Sequence, residues 1–532
     1  MKTLLVWLSV LALQGAQPLP LGKITFPNSG APAAQAPFVR GVLLLHSFEY
    51  DDAIAAFREA QKADPGFALA YWGEAMCFNQ TLWYNENLAK GREALARYRG
   101  QTPGAPTARE NGYLDAVEKM FGPGDKASRN RAYADRMGEL SRQFPEDEEA
   151  AAFYALALLG TQPESGSRDS AVTLKAGGIA LAILKKNPQH PGAAHYALHA
   201  FDDGEHAAMG LEAARTYAKI APASSHARHM PSHVFLPLGM WDEAAASDEA
   251  AFATSVDLAK RKGLSASQYD FHSLSWLQYE YLQQGRFAKA REAMNTVQEI
   301  QKVQEGSRGS TNVHLNHAES EIGRGYGPMS LKAELASMRA RYVLESGRWD
   351  EMKGRTSFDN VDELFALGFA SVRLGDLARA RAAYDHLKNA RDQAPDEDNR
   401  QLAQIMMAAV AGLIQIAQGD QARGLTALAD GARIEGGRPR PIARPYPVKP
   451  ATEIYAEALL ASGDAAGAVR QFEASLARTP RRAASLLGLA RAQQAAGQRA
   501  AATRTAREFL AVWHASDSGR PEVKEARTLG SQ

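Results

Sequence analysis

Small and apolar residues recur with helical spacing along most of the chain, and the pattern breaks at regularly placed turns. Residues 41–65, GVLLLHSFEYDDAIAAFREAQKADP, are the clearest unit. Gly41 and Leu44 share one face of a first predicted helix, Ala53, Phe57 and Ala60 one face of a second, and Pro65 stops it. The phrase returns as LGMWDEAAASDEAA at 238–251, SGRWDEM at 346–352, LGDLARARAAY at 374–384, SGDAAGAVRQFEASLARTP at 462–480 and AGQRAAATRTA at 496–506. Pro188 and Pro222, 34 residues apart, each end a predicted helix. A unit of this length cannot cover its own apolar face, so neighbouring units must stack.

The early Gly, the Ala–Phe–Ala spacing and the closing Pro resemble the tetratricopeptide repeat over most of residues 37–510. The resemblance implies an all-α, right-handed superhelical solenoid of helix pairs, with the first helix of each pair on a concave wall. The expected organisation is a signal peptide at 1–16, N-terminal repeats at 37–160, His-rich repeats at 168–302 and an insertion or hinge at 303–332. Further repeats at 333–435, a Pro-rich connector at 436–450, C-terminal repeats at 451–515 and a tail at 516–532 follow. The connector GGRPRPIARPYPVKP carries five prolines and should be extended, either as a stiff link or lying along the groove like a ligand.

Charge narrows the partners. With 61 Lys and Arg against 60 Asp and Glu in 532 residues, the net charge is +1, and nothing draws nucleic acid or an anionic membrane to the whole chain. A single cysteine, Cys77, excludes an intrachain disulfide and a cysteine-based metal cluster. Lys2 followed by an apolar run from Leu4 to Leu13 fits a secretory signal, too short to span a bilayer. No later stretch reads as a membrane span, so the mature chain is expected in the periplasm or outside the cell.

The remaining chemistry lies in histidines. Seven of the 13 fall between 190 and 233: His190, His195, His199, His206, His226, His229 and His233. His195 and His199 are four apart and share a helix face, and so are His229 and His233, each 34 residues further on. Aligning the turn at Gly239 with that at Gly285 carries His226 onto His272. Packed helices lie about 8–10 Å apart, so imidazoles facing each other across that gap can share an ion. Two i,i+4 pairs then supply up to four nitrogens, with Asp203 or His226 as an additional ligand and His272 as a third layer. Nitrogen and oxygen donors suit Zn or Cu(II) first, then Fe, Mn or Ni. Pro231, between His229 and His233, implies a helix that starts late or kinks. By the resemblance, His46, His190, Trp72 and Tyr279 also line the groove.

The runs HSFEYDDAIAAFREAQKADP, HPGAAHYALHAFDD and HARHMPSHVFLPLGMWDEA are similar to those of secreted bacterial tetratricopeptide proteins of unsettled activity. Three functions are consistent with the sequence. The first is an exported metal-binding repeat protein acting as carrier, sensor or assembly factor. The second is a metal-free scaffold holding a peptide or protein in its groove. The third is a metal-dependent hydrolase or oxidase, with Asp203, Glu205 or Tyr279 moving protons. No phosphate-binding loop, GxSxG elbow or HExxH motif is present.

Overall fold

The computed structural model describes residues 20–531 except 84, 101–106, 164–167, 307–330, 442–443 and 445–446. The expected signal peptide, Tyr84, and His314 and His317 of the expected hinge lie outside the described residues. Within them the chain is almost wholly helical, and its described strands are the two-residue segments Asn79–Gln80 and Asn85–Glu86.

Consecutive helices pack as antiparallel pairs, and the repeat residues show why. Phe57 of the Tyr50–Ala63 helix enters the seam between two first helices. A Cβ built on Gly41 would meet its ring at 2.8 Å, and one on Gly73 at 2.3 Å. Phe472 and Gly488 repeat the arrangement near the other end, at 2.3 Å. The turn within each pair is equally regular. Gly239 takes φ +67°, and its N–H and that of Met240 bond back to Leu236 and Phe235, the left-handed cap that closes a helix. In LGDL and SGDA the next residue caps the following helix, Asp376 accepting from the Arg379 N–H and Asp464 from the Gly467 N–H.

The solenoid curls until distant repeats touch. The Pro32–His46 helix packs against Pro191–Ala200, and Lys23 N–H bonds to the Gln189 carbonyl at 2.8 Å. The chain's own N-terminal segment packs across the first helices of the opening repeats, with Phe26 against Phe38, Trp72 and Tyr113 at 5.2–5.7 Å. The C-terminal repeats return to the middle ones. Trp241 Nε1–H donates to the Arg481 carbonyl at 2.9 Å, and Trp513 Nε1–H to that of Gln283 at 2.8 Å. One apolar core joins residues 236–342 to 483–526.

One sequence expectation gains detail here and one changes. The tail expected at 516–532 contains the Pro521–Gly530 helix, packed on Arg499–Val512. Glu397–Ala417 is long and apolar enough to cross a membrane by length and composition. In the structure it packs between Leu377–Asp392 and Gln421–Gly436, burying Ile405, Met406 and Val410.

Candidate metal centre

His190 opens the Pro191–Ala200 helix, its Nδ1 accepting the Ala193 N–H at 3.1 Å, with Pro191 in the first turn. His195 and His199 project from one face of this helix. His226 arrives from a short helix, Ser225–His229, capped by Ser224, whose Oγ accepts from the Ala227 N–H and donates to Glu49 at 2.7 Å. The three side chains converge. His195 Nε2 lies 2.9 Å from His226 Nε2 and 3.0 Å from His199 Nε2. Three nitrogens on a tetrahedral ion, each about 2.0–2.1 Å from it, lie roughly 3.3 Å apart. The trio is close to that geometry.

Proton placement sharpens the point. His195 Nδ1 is 2.6 Å from the carbonyl oxygen of His46, which can only accept, so Nδ1 carries the proton. In the neutral ring Nε2 then offers one lone pair to two converging imidazole nitrogens. One lone pair accepts one N–H well; a cation satisfies all three rings at once. Burial and the neighbouring imidazoles push His199 well below the ordinary imidazole range, keeping it neutral.

Aromatic rings wall this trio. Phe48 sits 4.3 Å from His195, 5.8 Å from His199 and 5.7 Å from His226, centroid to centroid. Tyr217 stacks on His195 at 5.1 Å, and Trp83 meets His226 edge-on at 5.7 Å. Phe48 takes a left-handed φ of +59°. It occupies the turn position held by Gly239 in a later repeat, with matching bonds from Phe48 N–H to Leu45 and Glu49 N–H to Leu44.

A second trio stands beside the first. Pro231 divides its segment into Ser225–His229 and Ser232–Phe235, so His229 and His233 come from two short helices rather than one. Their Nε2 atoms are 2.9 Å apart. His272, in the first turn of Phe271–Gln283, brings a third ring nitrogen within 4.8 Å of both. Here the outer partners are carboxylates. His229 Nδ1–H donates to Asp248 at 2.6 Å and His233 Nδ1–H to Asp202 at 2.9 Å. Where both protons sit on Nδ1, the facing Nε2 atoms present lone pairs to each other, and a cation between them relieves the repulsion. Burial, then the adjacent imidazoles, hold His229 and His272 down at about 3. Trp276 stacks on His233 at 4.4 Å. Behind His229, burial pushes the carboxyls of Asp248 and Glu280 up, with Asp270 adding repulsion at Asp248 and Asp248 at Glu280.

The trios share supports. His226 and His229 are three apart on one helix and serve different trios, and Asp202 of the second follows three residues after His199 of the first.

The single four-nitrogen site expected from two i,i+4 pairs is therefore replaced by two three-nitrogen groups. Asp203 does not join either one. Its carboxylate accepts from His206 Nδ1–H at 2.8 Å and from the backbone of Glu205 and His206, a local turn that uses up the carboxylate.

The expected groove-lining residues are buried elsewhere. His46 is fully enclosed, Nε2 at 2.7 Å from Glu149 and Nδ1 at 2.8 Å from the Tyr196 hydroxyl. His190 Nε2 stands 3.3 Å from the other Glu149 oxygen. Because His190 Nδ1 accepts a backbone N–H, its proton is on Nε2, beside Glu149. These three groups bring their ligand atoms within 4.8 Å of one another; burial works against the charge of Glu149, yet the two imidazoles hold it well below the usual carboxylate range. Trp72 lies in the first-repeat core beneath Phe26, edge-on to Tyr113 and Phe153. Tyr279 faces the C-terminal repeats, accepting from Arg482 at 3.4 Å.

Asp202, Asp248 and Phe48 escape a reading of the sequence alone. Asp202 was hidden by its neighbour Asp203, Asp248 comes from the following helix, and Phe48 is marked only by a missing turn glycine.

No protein-family profile matches the sequence, and no curated protein proves similar to it. Solved structures do align. A tetratricopeptide repeat protein from Parabacteroides merdae is 12% identical, covering 58% of this chain and 99% of its own, with a TM-score of 0.30. Yeast Tom70 is 11% identical over 94% of this chain and 95% of its own, with a TM-score of 0.30. The P58(IPK) TPR domain is 14% identical over 87% and 98%, with a TM-score of 0.24. The fold is a tetratricopeptide-repeat solenoid. That rests on the helix pairs, their Gly–Phe seams and their turns described above; the alignments bear on no function.

Proposed function

We propose that this solenoid is a metal-binding protein whose two histidine trios, His195–His199–His226 and His229–His233–His272, each take one divalent transition ion. The observation that carries the reading is the 2.9 Å approach of His229 Nε2 to His233 Nε2 while both Nδ1 atoms are engaged by the carboxyl groups of Asp248 and Asp202. Nitrogen-only inner donors suit Cu(II) or Zn, then Fe, Mn or Ni. The apolar run behind Lys2 supports action outside the cytoplasm, as a carrier, sensor or assembly factor for metal enzymes.

The scaffold alternative would hold a peptide or protein on the solenoid surface. Phe26 already covers Trp72 and Tyr113 on the first helices of the opening repeats, so such a partner would bind elsewhere. The hydrolase or oxidase alternative needs a substrate beside an ion. The aromatic wall of Phe48 and Trp83 against the first trio is the feature that favours it.

Elemental analysis tests the proposal. The wild-type chain loaded with Zn or Cu(II) and dialysed should retain about two ions per chain. H195A/H199A and H229A/H233A should each retain about one. No retained metal in a folded wild-type chain would leave the scaffold reading in its place.

A further inference from the structure

We infer that the two ions staple three consecutive repeats together across a joint, Ser225–Phe235, so that metal binding sets the angle between two parts of the solenoid. The protein is then a metal-responsive switch. This rests on the proposed metal binding and selects the sensor among the roles named for it.

The ligands of each trio come from two consecutive repeats. His195 and His199 belong to Pro191–Ala200, and His226 to Ser225–His229. His229 and His233 come from Ser225–His229 and Ser232–Phe235, and His272 from Phe271–Gln283. An ion at the first trio therefore ties the middle segment to the helix before it, and an ion at the second ties it to the helix after it. That middle segment is the least regular of the three. Its neighbours are single helices of 10 and 13 residues, whereas Pro231 leaves it in pieces of 5 and 4. Starting a helix is costly, so pieces this short depend on what their side chains hold.

Two apolar cores meet at the same segment. One runs from Phe26 through Met230, Val234 and Phe235 to Ala244; the other begins at Leu236 and Trp241 and continues through Trp276 to Ala526. Phe48 and Tyr217, against the first trio, belong to the former core, and Trp276, against the second trio, to the latter. A boundary between cores is a natural place to bend, because each side keeps its own buried surface as the angle changes. Polar ties that cross it include Lys262 to Asp52 at 2.8 Å and Arg440 to the Gly204 carbonyl at 3.3 Å. The Lys262–Asp52 pair is exposed on both sides, and such pairs hold weakly. In each trio, the ring nitrogens converge only while all the contributing helices are brought together. The ion binds that arrangement and not an opened one, and this difference in affinity shifts the balance between them.

Hydrogen exchange on the metal-free and Zn-loaded full chain tests this. Zn should slow exchange in residues 225–235 by about tenfold or more beyond any slowing in the distant helix Ala483–Ala495, which reports an overall gain in stability. Small-angle scattering should show a more compact chain on loading. H272A removes the second trio's ligand on the later helix and leaves His229 and His233 in place, so an ion held there ties nothing together. H195A/H199A removes both first-trio ligands on the earlier helix. Each variant should lose part of the extra slowing, and H195A/H199A/H272A all of it. His272 is partly exposed, so H272A serves if the buried pair cannot be replaced in a folded chain. Full slowing in H272A, or equal exchange in residues 225–235 with and without two bound Zn ions, would overturn the switch and leave metal binding standing. No Zn retained after dialysis would overturn the metal reading itself.

Discussion

At the scale of single residues, the first trio depends on a turn that breaks its own rule. Later repeats place glycine at the left-handed position, as at Gly239 and Gly285, whereas the first places Phe48. A non-glycine residue there costs on the order of 1–3 kcal/mol and persists only where the surroundings impose it. The ring that results packs against His195, His199 and His226, so the strain coincides with the site. Next to it, Glu49 accepts from Ser224, the cap of the helix that carries His226 and His229. Burial pushes Glu49 up to about 7 from its ordinary 4.5. An acid raised in the folded state binds more protons there than in the unfolded chain. Its contribution is full below about 4.5 and is lost as pH rises through about 7. Glu49→Gln keeps an acceptor for Ser224 and removes this loss. Thermal unfolding of the metal-free chain should therefore show E49Q stabilised relative to wild type by about 1–3 kcal/mol at pH 8, with little or no gain at pH 4. An equal effect at both pH values would mean Glu49 titrates as an ordinary surface carboxyl.

At the scale of elements, the repeat signature is a packing rule. Phe57 is fully buried between Gly41 and Gly73, and Phe472 meets Gly488 in the same way. A methyl group on Gly73 would stand 2.3 Å from the Phe57 ring, and a buried ring has little room to retreat. Gly73→Ala should cost about 1–3 kcal/mol in denaturant unfolding, from overpacking. The sequence showed this rule in part: Gly, Ala and Phe recur at repeat spacing, and their resemblance to the tetratricopeptide signature implied the helix pairs, but not which glycines meet Phe57. The helix pair around Pro231 was only half readable. Proline announces a break in the backbone ladder, but not that the break would send His226 and His229, on one short helix, to different trios.

Across the whole molecule, the solenoid is held in its curl by contacts between repeats far apart in sequence. Trp513 packs against Phe287 and Phe509 and donates to the Gln283 carbonyl, fastening the C-terminal repeats to the middle ones. Trp513→Ala should cost about 3–5 kcal/mol and expose the junction near Gln283 to limited proteolysis, while the trios still retain two ions. Loss of both ions in that variant would mean the clasp and the metal centre are one unit. The sequence by itself determined the helical repeat, the seam residues and the gathering of histidines into a small stretch, because each follows from local periodicity. Only the tertiary structure decided that Phe26 covers Trp72 and Tyr113, that His46 and His190 stand against Glu149, and that Asp202 and Asp248 support the second trio. Those choices depend on the angle by which each helix pair turns from the last. That angle accumulates over many small packing contacts, and no single repeat records it.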